Sequence, residues 1–293
     1  MLEVKQVTKK IDGRPILQNI TFSLDSGSIA GLVGRNGAGK TTLLRTMAGI
    51  LDPEQGSIQW NSVSVHSHPE VKRDMVYIAD STEPFHGYTA MELADLYQQI
   101  YPKFDRMYFM DLMERFKLPF HKKIRHFSKG MKALTVLILS FSTRASCILL
   151  DEPTNGIDAI VKKQVLSLLV EEVAESGVTV VISTHHLEEL ERIADTILLF
   201  KGTTVETIEG NGSSGPYVKL QVVFREQAPA ALLSLPNVRV SSQVGRVYTL
   251  LIEDQQEETV RLFEQESPLV LERLPVRLED LFTYKLGDEH HVE

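Results

Sequence analysis

The chain has 293 residues, 43% of them hydrophobic and 24% charged, and a net charge of −8. That balance is ordinary for a folded globular protein and excludes a disordered chain. A single cysteine, Cys147, excludes an internal disulfide and a multi-cysteine zinc site, as in a reducing compartment. The opening MLEVKQVTKKIDG has no apolar core, so no secretory signal is expected. The longest apolar stretch, between Lys132 and Arg144, is 11 residues, against the ~20 that span a bilayer.

Charge divides the chain. Residues 1–202 hold 23 Lys and Arg against 24 Asp and Glu, whereas residues 203–293 hold 8 against 15. The split predicts two units, the second with an acidic, solvated surface. Neither unit is basic, so no nucleic-acid partner is expected.

The first unit alternates strand and helix patterns. Ile20, Phe22 and Leu24 alternate as in a half-buried strand. Ile29–Val33 is a short apolar run before glycine, and Lys40–Gly49 is helical in pattern. Met75–Ala79, Cys147–Leu150, Val178–Ile182 and Thr196–Phe200 read as further strands. Val161–Ala174 and Leu187–Ala194 read as helices between them. This order predicts an α/β core with a mixed, largely parallel sheet. Residues 85–142 form a helix-rich insert with nine aromatics between Phe85 and Phe120, spaced as a small subdomain core. The GNGSSGP stretch at 210–216 reads as a linker. Beyond it, Tyr217–Phe224, Ala228–Leu235, Val238–Ser242, Val247–Glu253, Gln255–Glu266 and Leu269–Leu274 follow a β-α-β-β-α-β order, which is ferredoxin-like. A helix over Leu278–Lys285 ends the chain. The expected domains are therefore 1–209 and a small α+β domain, 217–293.

Gly34-Arg35-Asn36-Gly37-Ala38-Gly39-Lys40-Thr41 matches G-x-x-x-x-G-K-[ST] between a predicted strand and a predicted helix. Glycines let backbone N–H groups converge on phosphate oxygens, and the helix N-terminus adds unsatisfied donors. Lys40 supplies a charge for the β- and γ-phosphates, and Thr41 a hydroxyl for Mg²⁺, with Thr42 beside it. Ile148-Leu149-Leu150-Asp151-Glu152 is an apolar strand ending in two carboxylates. Adjacent strand residues face opposite ways, so the two carboxylates are free to differ in role. Asp151 is placed to hold Mg²⁺ directly or through water, and Glu152 to polarise a water attacking the γ-phosphate.

Three further segments carry a family resemblance. Phe127-Ser128-Lys129-Gly130-Met131 resembles the signature motif of ABC ATPases, Asn155-Gly156-Ile157-Asp158 their D-loop, and Ser183-Thr184-His185 their switch-histidine loop. With the two motifs above, all five elements stand in the family's order across residues 1–202. The resemblance implies an ATPase in which two cassettes close head to tail around ATP, as a homodimer or a heterodimer. Ser128, Lys129 and Gly130 would then face the partner's nucleotide, and His185 would touch the γ-phosphate. Ser128 also reads as the N-cap of the helix that follows it. Asp158 is the implied D-loop residue.

The chain departs from the family pattern in places. Ile11 stands where an adenine-stacking aromatic is usual, and Asp80 replaces the Q-loop glutamine, its carboxylate still able to reach Mg²⁺. Lys129 and Met131 replace the more usual Gly and Gln. Arg277-Leu278-Glu279-Asp280-Leu281-Phe282 resembles a segment closing ABC-2-type exporter ATPases, and Tyr101-Pro102-Lys103-Phe104-Asp105 and Ser128-Lys129-Gly130-Met131-Lys132 look like the Gram-positive branch of those exporters. That likeness implies a separate membrane permease as partner and a place on the inner face of the plasma membrane, in the cytoplasm. Two other readings remain at this stage. A translation or repair ATPase would usually carry a second cassette or long coiled coils, and neither is present. A nucleotide-gated switch would bind ATP and hydrolyse it very slowly.

Overall fold

In the computed structural model, which describes residues 1–209 and 217–286, the chain divides into two units, Met1–Ile208 and Glu209–Glu293. The expected linker, 210–216, lies outside the described residues. The first unit opens with a hairpin of β1 (Leu2–Ile11) and β2 (Arg14–Leu24), turned at Asp12-Gly13. Both turn residues have positive φ, as a two-residue hairpin turn requires. Next come β3 (Ile29–Val33), α1 (Lys40–Met47), β4 (Gln55–Trp60), β5 (Val63–Ser64) and β6 (Met75–Ile78). Helices α2 (Ala90–Ile100), α3 (Arg106–Arg115) and α4 (Lys129–Ser142) follow. The unit continues with β7 (Cys147–Asp151), α5 (Ala159–Ser176), β8 (Thr179–Thr184), α6 (Leu187–Leu190), β9 (Thr196–Lys201) and β10 (Thr204–Glu209).

Two sheets result. One runs β10-β9-β3-β8-β7-β6, in which β9, β3, β8, β7 and β6 run parallel to one another. Strands β3, β7 and β8 are buried throughout, which explains their continuous apolar runs. The other, β2-β1-β4-β5, is antiparallel and was legible only at β2. Register shifts after Val4, Val7 and Lys9 break the two-residue period of β1, so its sequence does not read as a strand. Leu2, Leu17, Ile20, Leu43, Met47 and Phe200 are fully buried in the core that both sheets share. The predicted helix 187–194 is shorter than expected, since α6 spans only Leu187–Leu190.

The helix-rich insert is set by its caps. Thr89 and Glu92 form a reciprocal capping box at α2, Asp105 caps α3, and Ser128 caps α4 by accepting from Met131 N–H. Helix α2 stops just before Pro102. Phe104 and Phe109 are buried, and the rings of Tyr97, Tyr101, Phe104 and Phe109 follow one another at 5.6–6.5 Å. The aromatic run is thus a core for these helices, as expected, with Tyr88 left exposed.

The second unit holds β11 (Tyr217–Val223), α7 (Ala230–Leu233), β12 (Val238–Val244), β13 (Val247–Glu253), α8 (Gln256–Gln265), β14 (Val270–Leu274) and α9 (Leu278–Leu286). Its sheet is antiparallel in the order β12-β13-β11-β14, the ferredoxin-like arrangement predicted above. Leu220, Val222, Leu250, Val260 and Phe263 form its core. Asp280 accepts from Arg277 N–H at 2.8 Å and from Lys219 Nζ at 2.7 Å, tying α9 to β11.

Candidate active site

Parallel pairing aligns the carboxyl ends of β6, β7, β8 and β3 along one edge. In such sheets, ligands bind in the crevice outside these ends. A cavity of about 550 Å³ opens there. It gathers Ile11, Asn36, Gly37, Gly39, Lys40, Thr41, Thr42, Asp80, Glu152 and His185 from separate stretches of the sequence.

The loop from β3 to α1 forms one wall. Gly37 and Gly39 have φ of +82° and +108°, where a side chain is strained. Among the described residues no side chain caps α1, so its first-turn N–H groups stay available to an anion. Gly34 and Ala38 stand behind the surface rather than on it. A Cβ on Gly34 would lie 2.8 Å from Phe200 Cβ, so glycine lets β9 close on the loop. Ala38 packs against the core. Lys40 is almost wholly buried. Its ammonium donates to the Gly34 carbonyl at 2.8 Å and meets Glu152 Oε1 at 3.3 Å.

The two adjacent carboxylates have separate surroundings. Asp151 ends β7 beside Ser183 of β8 and is 3% exposed. Ser183 Oγ donates to its Oδ1 at 2.7 Å, and Tyr77 OH to its Oδ2 at 3.2 Å. Arg45 Nε reaches that same Tyr77 hydroxyl at 3.4 Å. Burial, more than any neighbour, pushes the Tyr77 phenol up, which keeps it a donor. Asp151 therefore stands just behind the cavity wall. Glu152 takes the left-handed conformation, φ +49°, uncommon for a side-chain-bearing residue. Its N–H is held by the Ser183 carbonyl at 3.1 Å and Ser183 Oγ at 3.0 Å, and its carbonyl accepts from Asn155 N–H at 3.1 Å. This pivot turns the Glu152 side chain into the cavity, where His185 Nδ1 lies 2.8 Å from Oε2. With Nδ1 donating, Nε2 of the neutral ring is an acceptor, and it donates to an incoming oxygen only when both ring nitrogens carry protons. The His186 ring lies tilted against His185, with centroids 4.1 Å apart, and burial lowers its pKa most.

The signature residues and Asp158 of the D-loop lie outside this cavity, while Asn155 lines it. A Cβ on Gly130 would come within 2.8 Å of Val161 Cγ1, so glycine lets α4 seat on α5. Lys129 lays its ammonium over Gly156 and lines an adjoining cavity of about 320 Å³ that shares Asp80, Glu152 and Asn155 with the first. Asp158 caps α5, accepting from Ile160 and Val161 N–H. Sequence reasoning missed Tyr77 and Ser183 as partners of Asp151, and Ile16 and Asn155 as cavity walls. Ser183 had a signal in the Ser-Thr-His run, and Asn155 in the Asn-Gly-Ile-Asp run.

The sequence model of the ABC transporter family matches residues 17–155. The ABC transporter ATP-binding protein YtrB of Bacillus subtilis is 38% identical over 98% of each chain. The chain belongs to the ABC transporter ATP-binding proteins. Daunorubicin resistance ATP-binding protein DrrA3 of Streptomyces coeruleorubidus is 28% identical over 100% of this chain and 98% of its own. A solved ATP-binding subunit of an ABC transporter, 27% identical, superposes with a TM-score of 0.65 over 71% of this chain and 90% of its own. The dimeric cassette MJ0796 bound to ADP and Pi shares the fold at 20% identity, TM-score 0.65, over 72% of this chain and 100% of its own. As an ABC cassette the chain is the ATPase subunit of a transporter, binding ATP and hydrolysing it to ADP and phosphate. No helix among the described residues is long and apolar enough to cross a membrane.

Proposed function

We propose that this ABC cassette is the energy-supplying subunit of an exporter, docked on a separate membrane permease at the cytoplasmic face. The observation that carries the reading is the meeting of Lys40, Glu152 and His185 beside the phosphate loop in one cavity. Backbone N–H groups of Gly37 and Gly39 cradle the phosphates, Ala38 N–H turning to them from the Arg35 carbonyl it now meets at 3.1 Å, and Lys40 leaves Glu152 to bind them. Glu152 takes the proton of the attacking water, and His185, with both ring nitrogens protonated, donates from Nδ1 to Glu152 and from Nε2 to the γ-phosphate. Ile11 packs on the purine. Thr41, Asp80 and Asp151 offer only hard oxygen donors, which fits Mg²⁺. When bound, Mg²⁺ neutralises phosphate charge. Asp151, already bonded by Ser183 and Tyr77, would help hold the ion directly or through water.

Ser128, Lys129 and Gly130 lie outside the chain's own nucleotide cavity, which supports a role across a dimer. Asp158 sits in the D-loop of the same face, and ATP joins the two copies. The name of DrrA3, a drug-resistance protein, and the Arg277–Phe282 segment support export over import. Residues 217–293 are an accessory domain that clamps the dimer or packs on the cassette core. Light scattering of Glu152→Gln with and without ATP and Mg²⁺ tests the core of this reading. A monomer that dimerises only with ATP supports it. A persistent monomer that binds ATP overturns the homodimer in favour of a heterodimer. Purification from membranes with a polytopic protein tests the permease, and its absence overturns the transport role.

A further inference from the structure

Between Glu114 and Asp151 the chain has no acidic residue, yet eight Lys and Arg fall there. In a chain with 39 acids this is a local reversal of charge. Its centre is the connection from α3 to α4, and that connection is built rigidly. Leu118, Ile124 and Phe127 are buried as anchors. Ile124 N–H donates to the Tyr88 carbonyl at 2.8 Å, Met91 N–H donates to the Phe120 carbonyl at 3.2 Å, and Thr89 bridges Lys123 as a strand pair. With these positions fixed inward, Lys117, Lys122, Lys123 and Arg125 stand exposed. Among the described residues none of the four forms an ion pair, and Arg125 meets only His126, at 3.2 Å. The nearby Glu92 carboxylate is occupied by Thr89 N–H at 2.7 Å. Tyr88, 44% exposed, sits on the same backbone ladder.

We propose that this rigid basic and aromatic surface binds the anionic headgroups of a lipid bilayer. The cations line neither of the two cavities beside Glu152; they spread over a surface, which suits a charged plane better than a single phosphate. A tyrosine ring beside them has the amphipathic character that seats at headgroup level. Each Lys or Arg near an anionic surface changes partitioning on the order of five-fold, and the effect is screened within a Debye length. Outside residues 115–150 the chain carries a net charge of −16 (−8 minus +8), so most other orientations toward an anionic surface are disfavoured. The same segment runs directly into Ser128, so lipid contact would hold the start of α4. The proposal rests on the reading above only in needing a membrane as the place of work.

The test is flotation of the full chain with vesicles of phosphatidylcholine alone, or with one third phosphatidylglycerol, at low and high salt. Retention on anionic vesicles that high salt releases is expected. Combined Lys122→Gln, Lys123→Gln and Arg125→Gln should lower that partitioning about 100-fold. ATP hydrolysis should be unchanged, since none of the three lines the nucleotide cavity. The same charge loss at exposed Lys10, Lys163 and Lys201 should leave binding intact. Equal uptake by both vesicle types, or equal loss in the control variant, overturns the proposal. Binding of poly-L-glutamate at this surface without vesicle binding overturns it in favour of an acidic protein partner. Vesicle binding without any ATP hydrolysis would leave the lipid surface standing and sink the functional reading instead.

Discussion

Glu152→Gln separates binding from chemistry at this site, and the structure sets the size of the effect. Lys40 Nζ lies 3.3 Å from Glu152 Oε1, and the two side chains are 7% and 14% exposed. At an effective dielectric constant of ~20, the attraction at that separation is about 5 kcal/mol. Desolvation of both groups offsets most of it, leaving ~1–2 kcal/mol net. An incoming γ-phosphate must take Lys40 from this pair and then sit beside a carboxylate. Glutamine keeps the shape and an acceptor for His185, but removes the competitor and the repulsion. ATP should therefore bind about 5–30-fold more tightly, the equivalent of that ~1–2 kcal/mol. Phosphate release should fall at least ~100-fold if Glu152 is the base. Calorimetric titration with ATP and Mg²⁺, paired with a phosphate-release assay, reads both quantities. Unchanged or weaker affinity would refute the competition between Glu152 and phosphate, and near-normal turnover would refute the base.

Other substitutions probe separate parts of the chain. Lys40→Ala removes the charge at the phosphate site and should cost about 10–100-fold in ATP affinity by equilibrium titration; retained affinity would reassign the cradle. Ile11→Tyr adds a ring where Ile11 lines the cavity, and should favour ATP over inorganic triphosphate by about 2–10-fold. An unchanged ratio would show that residue 11 does not face the base. The Glu172 carboxyl on α5 is buried and accepts from Tyr108 OH; burial first, then the nearby Glu175 charge, pushes its pKa up to about 7. Its folded value lies above its unfolded one, so the folded state holds the proton more tightly and stability falls as pH rises from about 4.5 through 7. Glu172→Gln should then be the more stable protein above pH 7, on the order of 3 kcal/mol, with the gap closing toward acid in urea denaturation. A pH-independent gap would exclude this carboxyl as the cause. Burial pushes the Cys147 thiol up to about 12, so alkylating reagents should label it only after unfolding.

The parts legible in the sequence were those in which local pattern and chemistry agree. Strands β3, β7 and β8 are buried on both faces and show as apolar runs, each ending in a polar motif. Ser128 reads as a cap because its hydroxyl serves the helix that begins beside it. The ferredoxin-like order is legible because turn residues punctuate its strands. The antiparallel sheet of the first unit was not, since bulges in β1 erase its period and its partner β4 lies more than forty residues away. Tyr77 was invisible as a partner of Asp151 for a related reason. The register of β6 on β7 pairs Tyr77 with Leu149 and Ile78 with Leu150, and no local pattern encodes a pairing across some seventy residues.

The two carboxylates show what the pattern and the fold each contribute. Alternation in a strand separates Asp151 from Glu152 but does not say which becomes buried. Ser183 decides it. Its hydroxyl donates to Asp151 at 2.7 Å, and its carbonyl and hydroxyl oxygens both take the Glu152 N–H. One serine thus fixes the inner carboxylate and holds the outer residue at φ +49°, a conformation that costs on the order of 1–3 kcal/mol unless its surroundings impose it. Because that turn delivers Glu152 to both Lys40 and His185, the geometry of the chemistry is set one strand away from the residues that perform it. Ser183→Ala should therefore reach further than the loss of one hydroxyl. It leaves the buried Asp151 with Tyr77 as its hydrogen-bond partner and loosens the Glu152 turn. The expected signature is a fall in turnover larger than the fall in ATP affinity. Equal losses in both would mean that Ser183 supports only the cradle and has no part in aiming Glu152.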